Sequence, residues 1–153
     1  AVISGTSTAT LTESNVVQSA TGTLTSTDVD GTANLFTAQS NVAGSNSYGK
    51  FTITTAGVWT YTMDIAHDEF VAGTNYTDSI TVAAADGTQQ VVTVTIAGTN
   101  DAAVIAGVST ASLTETNTAL SANGTLTITD VDSATAFVAQ ASTTGTLVRK
   151  NQF

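Results

Sequence analysis

Apolar and polar residues alternate at every second position over much of the first hundred residues of the chain. In an extended strand successive side chains point to opposite faces, so this period is typical of β-strands with one buried face. Val, Thr and Ile fill many of these positions, and β-branched residues fit a pleated sheet better than a helix. The pattern predicts short strands at residues 7–12, 21–27, 34–39, 49–54, 58–63, 77–84 and 89–97.

Two pairs of these strands read as hairpins. KFTITTAGVWTYTM (50–63) turns at Ala56-Gly57, and SITVAAADGTQQVVTVTI (79–96) turns at Asp86-Gly87, a frequent dipeptide of tight turns. In strand 58–63 the alternation directs either Trp59 and Tyr61 or Val58 and Thr60 inward. Aromatic residues at such positions are more often core than surface, although an exposed pair could form a platform for sugars.

The fold class follows from the strands and from what lies between them. No stretch has a helical period of helix length, and DIAHDEFVAGTNY (64–76) is predicted to be a loop or a single helical turn. Short strands at this density predict an all-β fold, a two-sheet β-sandwich of immunoglobulin-like or cadherin-like type with about seven strands.

The sequence repeats itself at an offset of 102 residues. AVISGTSTATLTESNVVQSATGTLTSTDVD at 1–30 aligns with AVIAGVSTASLTETNTALSANGTLTITDVD at 103–132, and 21 of the 30 positions are identical. A period of this length is one small domain rather than a solenoid unit. We therefore predict a complete sandwich repeat at 1–102 and the first half of a second repeat at 103–153. Because half a sandwich leaves sheet edges open, we expect 103–153 to be partly disordered or paired with another chain.

The charge balance argues against several classes of partner. The formal net charge is −9, and Lys50, Arg149 and Lys150 are the only Lys or Arg residues. Such a surface repels phosphate backbones, so we expect no nucleic-acid binding. It would also be repelled by anionic lipids, and no apolar run reaches the roughly 20 residues that span a bilayer, so we expect no membrane insertion. With no Cys, no initiator Met and no signal peptide, the sequence is interpreted as a segment of a longer protein without disulfides.

Acidic residues recur at matching places in the two repeats. Of the twelve Asp and Glu residues, seven lie in recurring or junctional positions: Glu13, Asp28, Asp30, Asp101, Glu115, Asp130 and Asp132. In an extended Asp-x-Asp both side chains point the same way, with Cα atoms about 6.6 Å apart, so a slight bend lets both carboxylates reach one cation. Hard oxygen ligands suit Ca²⁺, whereas a chain with no Cys and one His lacks the ligands of a conventional zinc site.

We predict a calcium site where successive repeats meet. Its ligands would be Glu13 near the start of one repeat, Asn100 and Asp101 in the linker, and Asp130 and Asp132 of the next repeat, with Asp28, Asp30 and Glu115 at the equivalent positions of the repeat frame. One of the loop acids Asp64, Asp68 and Glu69 could complete the shell. The alternative is that Asp-Val-Asp and Asn-Asp are ordinary polar turns. His67, beside these loop acids, is expected to be a solvated loop residue rather than a base or a ligand.

A series of ordered motifs resembles a known family. GTLT-x-TDVD, YGKFTI, AGVWTYTM, TDSITV, ADGT and VTVTIAGTNDA are similar to the VCBS repeat of large bacterial surface proteins and RTX-type adhesins, over essentially all of 1–103 and again over 103–132. That family usually has Pro after Asn-Asp-Ala, and this chain has Ala103 there, which implies a less rigid linker. The linker of cadherins is similar, with an early Glu, an Asn-Asp linker and an Asp-x-Asp; here Asp130 follows Asp101 by 29 residues.

The resemblance implies a tandem extracellular sandwich that a type I system exports to the surface of a Gram-negative bacterium, often with a calcium requirement. We therefore predict a calcium-stabilised spacer repeat in the stalk of a large secreted adhesin, in surface attachment or biofilm, that contacts neighbouring repeats of the same chain. The alternative is an adhesive module with glycan or homophilic contacts, because sandwich loops accept binding sites readily. We expect no enzyme, since the sequence has no nucleophile motif such as GxSxG.

Overall fold

The computed structural model describes residues 1–31 and 33–146, and these form two units. The first unit comprises Ala1–Ala102 together with Val131–Ser133, and the second comprises Ala103–Asp130 and the chain from Ala134 onward. The described residues contain no helix, and hence none that is long and apolar enough to cross a membrane. The last part of the predicted second repeat, 147–153, lies outside the described residues.

The first unit is built from two β-sheets. In chain order its strands are β1 (Val2–Gly5), β2 (Thr8–Thr12), β3 (Ser19–Thr27), β4 (Gln39–Ala43), β5 (Gly49–Ile53), β6 (Val58–Met63), β7 (Asn75–Ala83) and β8 (Gln89–Ala97). Within the described part of the chain, one sheet has the order β1-β3-β6-β5-β4 and the other the order β2-β8-β7. This is the all-β sandwich that the alternating pattern predicts.

The chain changes sheets between β1 and β2. β1 pairs antiparallel with β3, whereas β2 joins the other sheet and pairs parallel with β8, with Thr8 opposite Thr93 and Thr12 opposite Ala97. Gly5 ends β1 with a φ of +102°, and a Cβ at this position would lie 2.4 Å from the carbonyl oxygen of Thr23. Only glycine combines this backbone conformation with so close an approach, so Gly5 permits the change of sheet.

The core lies between the two sheets and contains the aromatic residues of β5 and β6. Trp59, Tyr61 and Met63 point inward and are almost fully buried, as is Phe51. From the other sheet Val82, Val92, Val94 and Ile96 join the same cluster. Of the two orientations that the sequence allowed for strand 58–63, the one with Trp59 and Tyr61 inside is therefore confirmed.

The prediction of a strand at 34–39 is wrong. The strand in this region is β4, which begins at Gln39, and Phe36 makes only an isolated bridge with Ala84. The backbone N–H of Phe36 donates to Thr55 beside the larger sheet, whereas that of Thr37 donates to Ala83 in β7 of the smaller sheet. The segment crosses from one sheet towards the other, so Phe36 is buried in the core although the segment forms no continuous strand pairing. The prediction also missed β1.

A buried carboxylate joins β7 to the segment before β5. Asp78 is fully buried, and its oxygens accept hydrogen bonds from the backbone N–H groups of Asn46, Tyr48 and Gly49 at 2.8, 3.1 and 3.1 Å. The hydroxyl of Tyr61 donates a fourth bond to Asp78 Oδ2 at 3.2 Å. Sequence reasoning did not single out Asp78, because its strand position resembles that of any polar residue in an alternating pattern.

The Tyr61–Asp78 pair makes stability dependent on alkaline pH. Burial, followed by the nearby Asp78 carboxylate, raises the pKa of Tyr61 above its ordinary value of 10.0. A phenol that keeps its proton more tightly in the folded state stabilises the fold fully below pH 10, and this contribution is lost as the pH rises above 10. We expect Tyr61→Phe to lose about 1–2 kcal/mol at pH 8, with one hydrogen bond removed. In urea unfolding between pH 9 and 11, the variant should then lose less stability than the wild type; equal losses would contradict this assignment.

The second unit contains a hairpin that repeats the β1–β3 pair. Here β9 (Val104–Gly107) pairs antiparallel with β10 (Leu126–Thr129), and Val104 lies opposite Thr129 as Val2 lies opposite Thr27. The apolar face is uncovered in this unit, since Leu126 is 42% exposed whereas Leu24, its counterpart in the first unit, is 1% exposed. The residues that match β1 and the end of β3 thus form the same antiparallel pair in the second unit.

Candidate metal centre

Three carboxylates from separate segments of the first unit converge. Glu13 directly follows β2, Asp68 lies in the loop 64–74 between β6 and β7, and Asp101 lies in the segment after β8. One oxygen of each carboxylate lies within 4.8 Å of the other two. Among the described residues this is the group of acids placed to share a cation, and we call it the acidic triad.

Glu13 is buried, Asp68 and Asp101 are half-buried, and one oxygen of each lacks a hydrogen-bond partner among the described residues. Glu13 is 1% exposed, which is rare for an acidic side chain unless it is paired. Glu13 Oε1, Asp68 Oδ1 and Asp101 Oδ2 are buried and have no hydrogen-bond partner among the described residues. Burying carboxylates without partners, close to one another, is costly, and a divalent cation removes both the missing contacts and the repulsion. The donor set is oxygen only, which fits Ca²⁺.

The second oxygen of Glu13 fixes the side chain. Glu13 Oε2 accepts a hydrogen bond from the hydroxyl of Thr99 at 2.5 Å and another from its backbone N–H at 3.2 Å. The backbone N–H of Glu13 also donates to Ala97 at 2.8 Å, which extends the β2–β8 pairing by one residue. Because Thr99 holds Oε2, Oε1 is the oxygen of Glu13 that remains available to a cation shared with Asp68 and Asp101.

Gly98 allows the loop and the linker to approach each other. A Cβ on Gly98 would lie 2.4 Å from the carbonyl oxygen of Val71 and 2.7 Å from that of Phe70, both in the loop 64–74. The N–H of Gly98 donates to Thr74 at 2.9 Å, which ties the linker to the end of the same loop. Because Gly98 has no side chain, the loop that carries Asp68 and the segment that carries Asp101 can lie close together.

The loop acids have different partners. Asp64 forms an exposed ion pair with Lys50 at 3.3 Å, and Glu69 meets Nδ1 of His67 at 2.7 Å. Of the loop acids that could complete the predicted shell, Asp68 is thus the one that joins Glu13 and Asp101. The expectation that His67 is solvated is wrong, because its side chain is buried and stacks on Phe70.

Asp28 and Asp30 do not join the triad. Asp28 Oδ1 accepts hydrogen bonds from the N–H groups of Asp30 and Gly31 at 3.3 and 3.1 Å, which closes a turn after β3. Its other oxygen lies 3.4 Å from the amino group of Ala1. Hydrogen bonding with Asp30 holds the pKa of Asp28 below its ordinary value. Asp28 and Asp30 thus form a polar turn, which was the alternative to a calcium site for Asp-Val-Asp.

The remaining predicted ligands are divided between the two units. Asn100 accepts a hydrogen bond from the Ser133 hydroxyl at 3.0 Å, and the same hydroxyl lies 3.5 Å from Asp132 Oδ1; all three residues belong to the first unit. Asp130 directly follows β10 in the second unit, and Glu115 is exposed in the segment between β9 and β10. Calcium binding by these four residues stays a prediction.

The glycan-binding alternative receives no support from the aromatic strand. The side chain of Trp59 is buried, and its indole Nε1 donates to the carbonyl oxygen of Thr6 at 2.7 Å. Tyr61 is fully buried as well. These rings are core residues and cannot act as a surface platform in this fold.

Comparison with known proteins gives one family. The family described as the bacterial cadherin-like domain matches residues 1–98, which include all eight strands of the first unit. No curated protein matches the chain. The family match ends three residues before Asp101, so Glu13 and Asp68 lie within it.

Proposed function

Because the chain belongs to the bacterial cadherin-like domain family, we propose that it is a calcium-stabilised structural repeat of a large secreted bacterial adhesin. Domains of this family are structural and adhesive modules of extracellular type, generally without enzymatic activity. We further propose that the chain is a VCBS-type repeat in the stalk of an RTX-type adhesin that a type I system exports. The adhesin would act in surface attachment or biofilm, and the repeat would contact neighbouring repeats of the same chain.

The observation that carries the calcium proposal is the acidic triad with its unpartnered oxygens. Glu13, Asp68 and Asp101 lie within reach of one cation, and each has one buried oxygen without a hydrogen-bond donor among the described residues. A surface cluster of acids would be satisfied by water, whereas Glu13 is 1% exposed and rigidly held by Thr99. Such an arrangement is stable when a cation supplies the missing contacts.

An ion held here would add a further connection between three segments that backbone hydrogen bonds already bring together. Glu13 fixes the end of β2, Asp68 fixes the loop 64–74, and Asp101 fixes the segment that follows β8. Bound Ca²⁺ supplies positive charge and additional coordination to these oxygens. At concentrations 10–100-fold above Kd, binding stabilises the fold by roughly 1.4–2.7 kcal/mol, against a total of about 5–15 kcal/mol for a typical domain.

Glu13→Gln tests the proposal. We expect Ca²⁺ to raise the Tm of the wild-type chain by several degrees relative to chelator, and Glu13→Gln to remove most of this increase. In chelator the variant should be at least as stable as the wild type, because it keeps an acceptor for Thr99 and relieves repulsion within the triad. The measurement is thermal unfolding by circular dichroism with Ca²⁺ and with chelator.

The matched control is Glu115→Gln. Glu115 occupies the position of Glu13 in the repeat frame, but it is exposed. This variant should keep the full calcium response of the first unit. A wild-type Tm that is the same in Ca²⁺ and in chelator would remove calcium from the proposed function.

A further inference from the structure

The loop that carries Asp68 is held to the sandwich at several points, among them the buried ring of Phe70 and the hydrogen bond from Gly98 N–H to the carbonyl oxygen of Thr74. It runs from 64 to 74 without strand pairing of its own. The N–H of Asp64 donates to the carbonyl oxygen of Tyr48 at 3.0 Å, and that of Val71 donates to the hydroxyl of Tyr76 at 3.1 Å. Asp68 lies between these two attachments, so its position depends on what holds the residues next to it.

His67 is the anchored residue beside Asp68. Its Nε2 lies 2.9 Å from the carbonyl oxygen of Tyr48, and its Nδ1 lies 2.7 Å from Oε1 of Glu69. A carbonyl oxygen only accepts hydrogen bonds, so Nε2 is the donor to Tyr48. Both ring nitrogens of His67 are thereby engaged.

The ring is also fixed by packing. It stacks on Phe70 with a centroid distance of 4.6 Å and an interplanar angle of 11°, and Tyr48 approaches its edge at 5.4 Å. Phe70 stacks in turn on Tyr76 at 3.8 Å. His67 thus ties the loop to an aromatic cluster formed by Tyr48, just before β5, Phe70 of the loop and Tyr76 of β7.

The backbone at His67 adopts a conformation that requires such an anchor. Its φ is +61°, in the left-handed region that residues other than glycine rarely adopt and that persists where the surroundings enforce it. This turn of the backbone lies directly before Asp68. The ring is held at both nitrogens and the backbone is turned through this conformation, and one oxygen of Asp68 lies within 4.8 Å of an oxygen of each of the other two carboxylates.

We propose that His67 is a positioning residue of the metal centre, which together with Glu69 orients Asp68 for the cation; this rests on the calcium site of the proposed function. His67 is not itself a ligand here, because both ring nitrogens have other partners. Residues that orient metal ligands typically change metal affinity 10–100-fold when they are replaced.

The test is calorimetric titration of Ca²⁺ into the full chain and its variants, each confirmed to be folded at the temperature used. His67→Asn tolerates the left-handed backbone but loses the ring and both of its contacts, and we expect it to bind Ca²⁺ about 10–100-fold more weakly. Glu69→Gln keeps an acceptor oxygen for Nδ1 and should bind within about threefold of the wild type, whereas Glu69→Ala should be weakened in the same direction as His67→Asn.

Asp64→Asn is the control for loop charge. It removes one exposed carboxylate from the same loop while leaving His67, Glu69 and Asp68 in place. If Asp64→Asn weakens calcium binding as much as His67→Asn does, loop charge and not position explains the effect, and the inference is wrong. If His67→Asn fails to fold, Glu69→Ala tests the inference instead. It removes the contact at Nδ1 of His67 and keeps the stacking of the ring on Phe70.

The outcomes separate this inference from the proposed function. A wild-type chain without calcium uptake overturns both. A wild-type chain that binds calcium, with His67→Asn and Glu69→Ala binding equally well, overturns the role of His67 alone. A purely structural His67 would lower the calcium-free Tm and leave Kd unchanged, whereas a positioning role raises Kd and lowers the preference for Ca²⁺ over Mg²⁺, which demands a different geometry.

Discussion

Asp78→Ala is expected to destabilise the first unit by about 3–5 kcal/mol, the largest effect of any single substitution considered for this fold. The carboxylate accepts bonds from three backbone N–H groups and from the Tyr61 hydroxyl inside the sandwich. Alanine leaves all four donors without this acceptor, and two of them, Gly49 N–H and the Tyr61 hydroxyl, are buried. Asp78→Asn should fall between alanine and the wild type, because its amide keeps one acceptor oxygen. Urea unfolding with unchanged m-value gives the measurement.

The control for Asp78 is Asp64→Asn. Asp64 is an exposed acid whose ion pair with Lys50 is open to solvent, so its replacement should change stability by no more than about 0.5 kcal/mol. If Asp78→Ala changed stability as little as Asp64→Asn, the buried carboxylate would not be the connection between β7 and the segment before β5.

Gly98→Ala is expected to lower both stability and calcium response. The new Cβ would lie 2.4 Å from a carbonyl oxygen of the loop 64–74, and backbone atoms cannot rotate out of the way as a flexible side chain can. Overpacking of this kind costs about 1–3 kcal/mol. If the loop moves away to relieve it, Asp68 leaves Asp101, so the calcium-dependent part of the Tm should shrink as well. Thermal unfolding with Ca²⁺ and with chelator measures both effects.

Gly145→Ala provides the comparison for Gly98. A Cβ on Gly145 meets no atom within 4 Å, so this variant adds the same methyl group where it has room. It should leave Tm and the calcium increment unchanged. An equally harmless Gly98→Ala would mean that the approach between loop and linker is not tight in solution.

Period-2 alternation was sufficient to place most strands. β5 to β8 were predicted within two residues at each end, since they alternate cleanly and turn at Ala56-Gly57 and Asp86-Gly87. β1 and β4 were missed for different reasons. β1 is short and ends at a residue with positive φ, and β4 exposes most of its residues at a sheet edge, with a register shift before Val42. Edge strands that bury little carry little of the alternating signal.

The candidate site was partly accessible from the repeat. Glu13 and Asp101 came from recurring or junctional positions, whereas Asp68 was one of the loop acids with nothing in the sequence to choose between them. Only the folded structure distinguishes these acids: Asp64 pairs with Lys50 and Glu69 pairs with His67, whereas Asp68 lies beside Glu13 and Asp101. The burial of His67 had no sequence signal at all. It depends on Phe70 and Tyr48, whose rings lie against the imidazole in the folded structure.

The parallel pairing of β2 with β8 determines how the first unit responds to tension. A load applied at the amino end of β2 and the carboxyl end of β8 pulls along the two strands in opposite directions, so their backbone hydrogen bonds are sheared together rather than unzipped one by one. The bonds from Glu13 to Ala97 and from Thr99 to Glu13 lie at one end of this ladder and share the load. A load carried through β2 and β8 is therefore resisted by the whole parallel ladder at once.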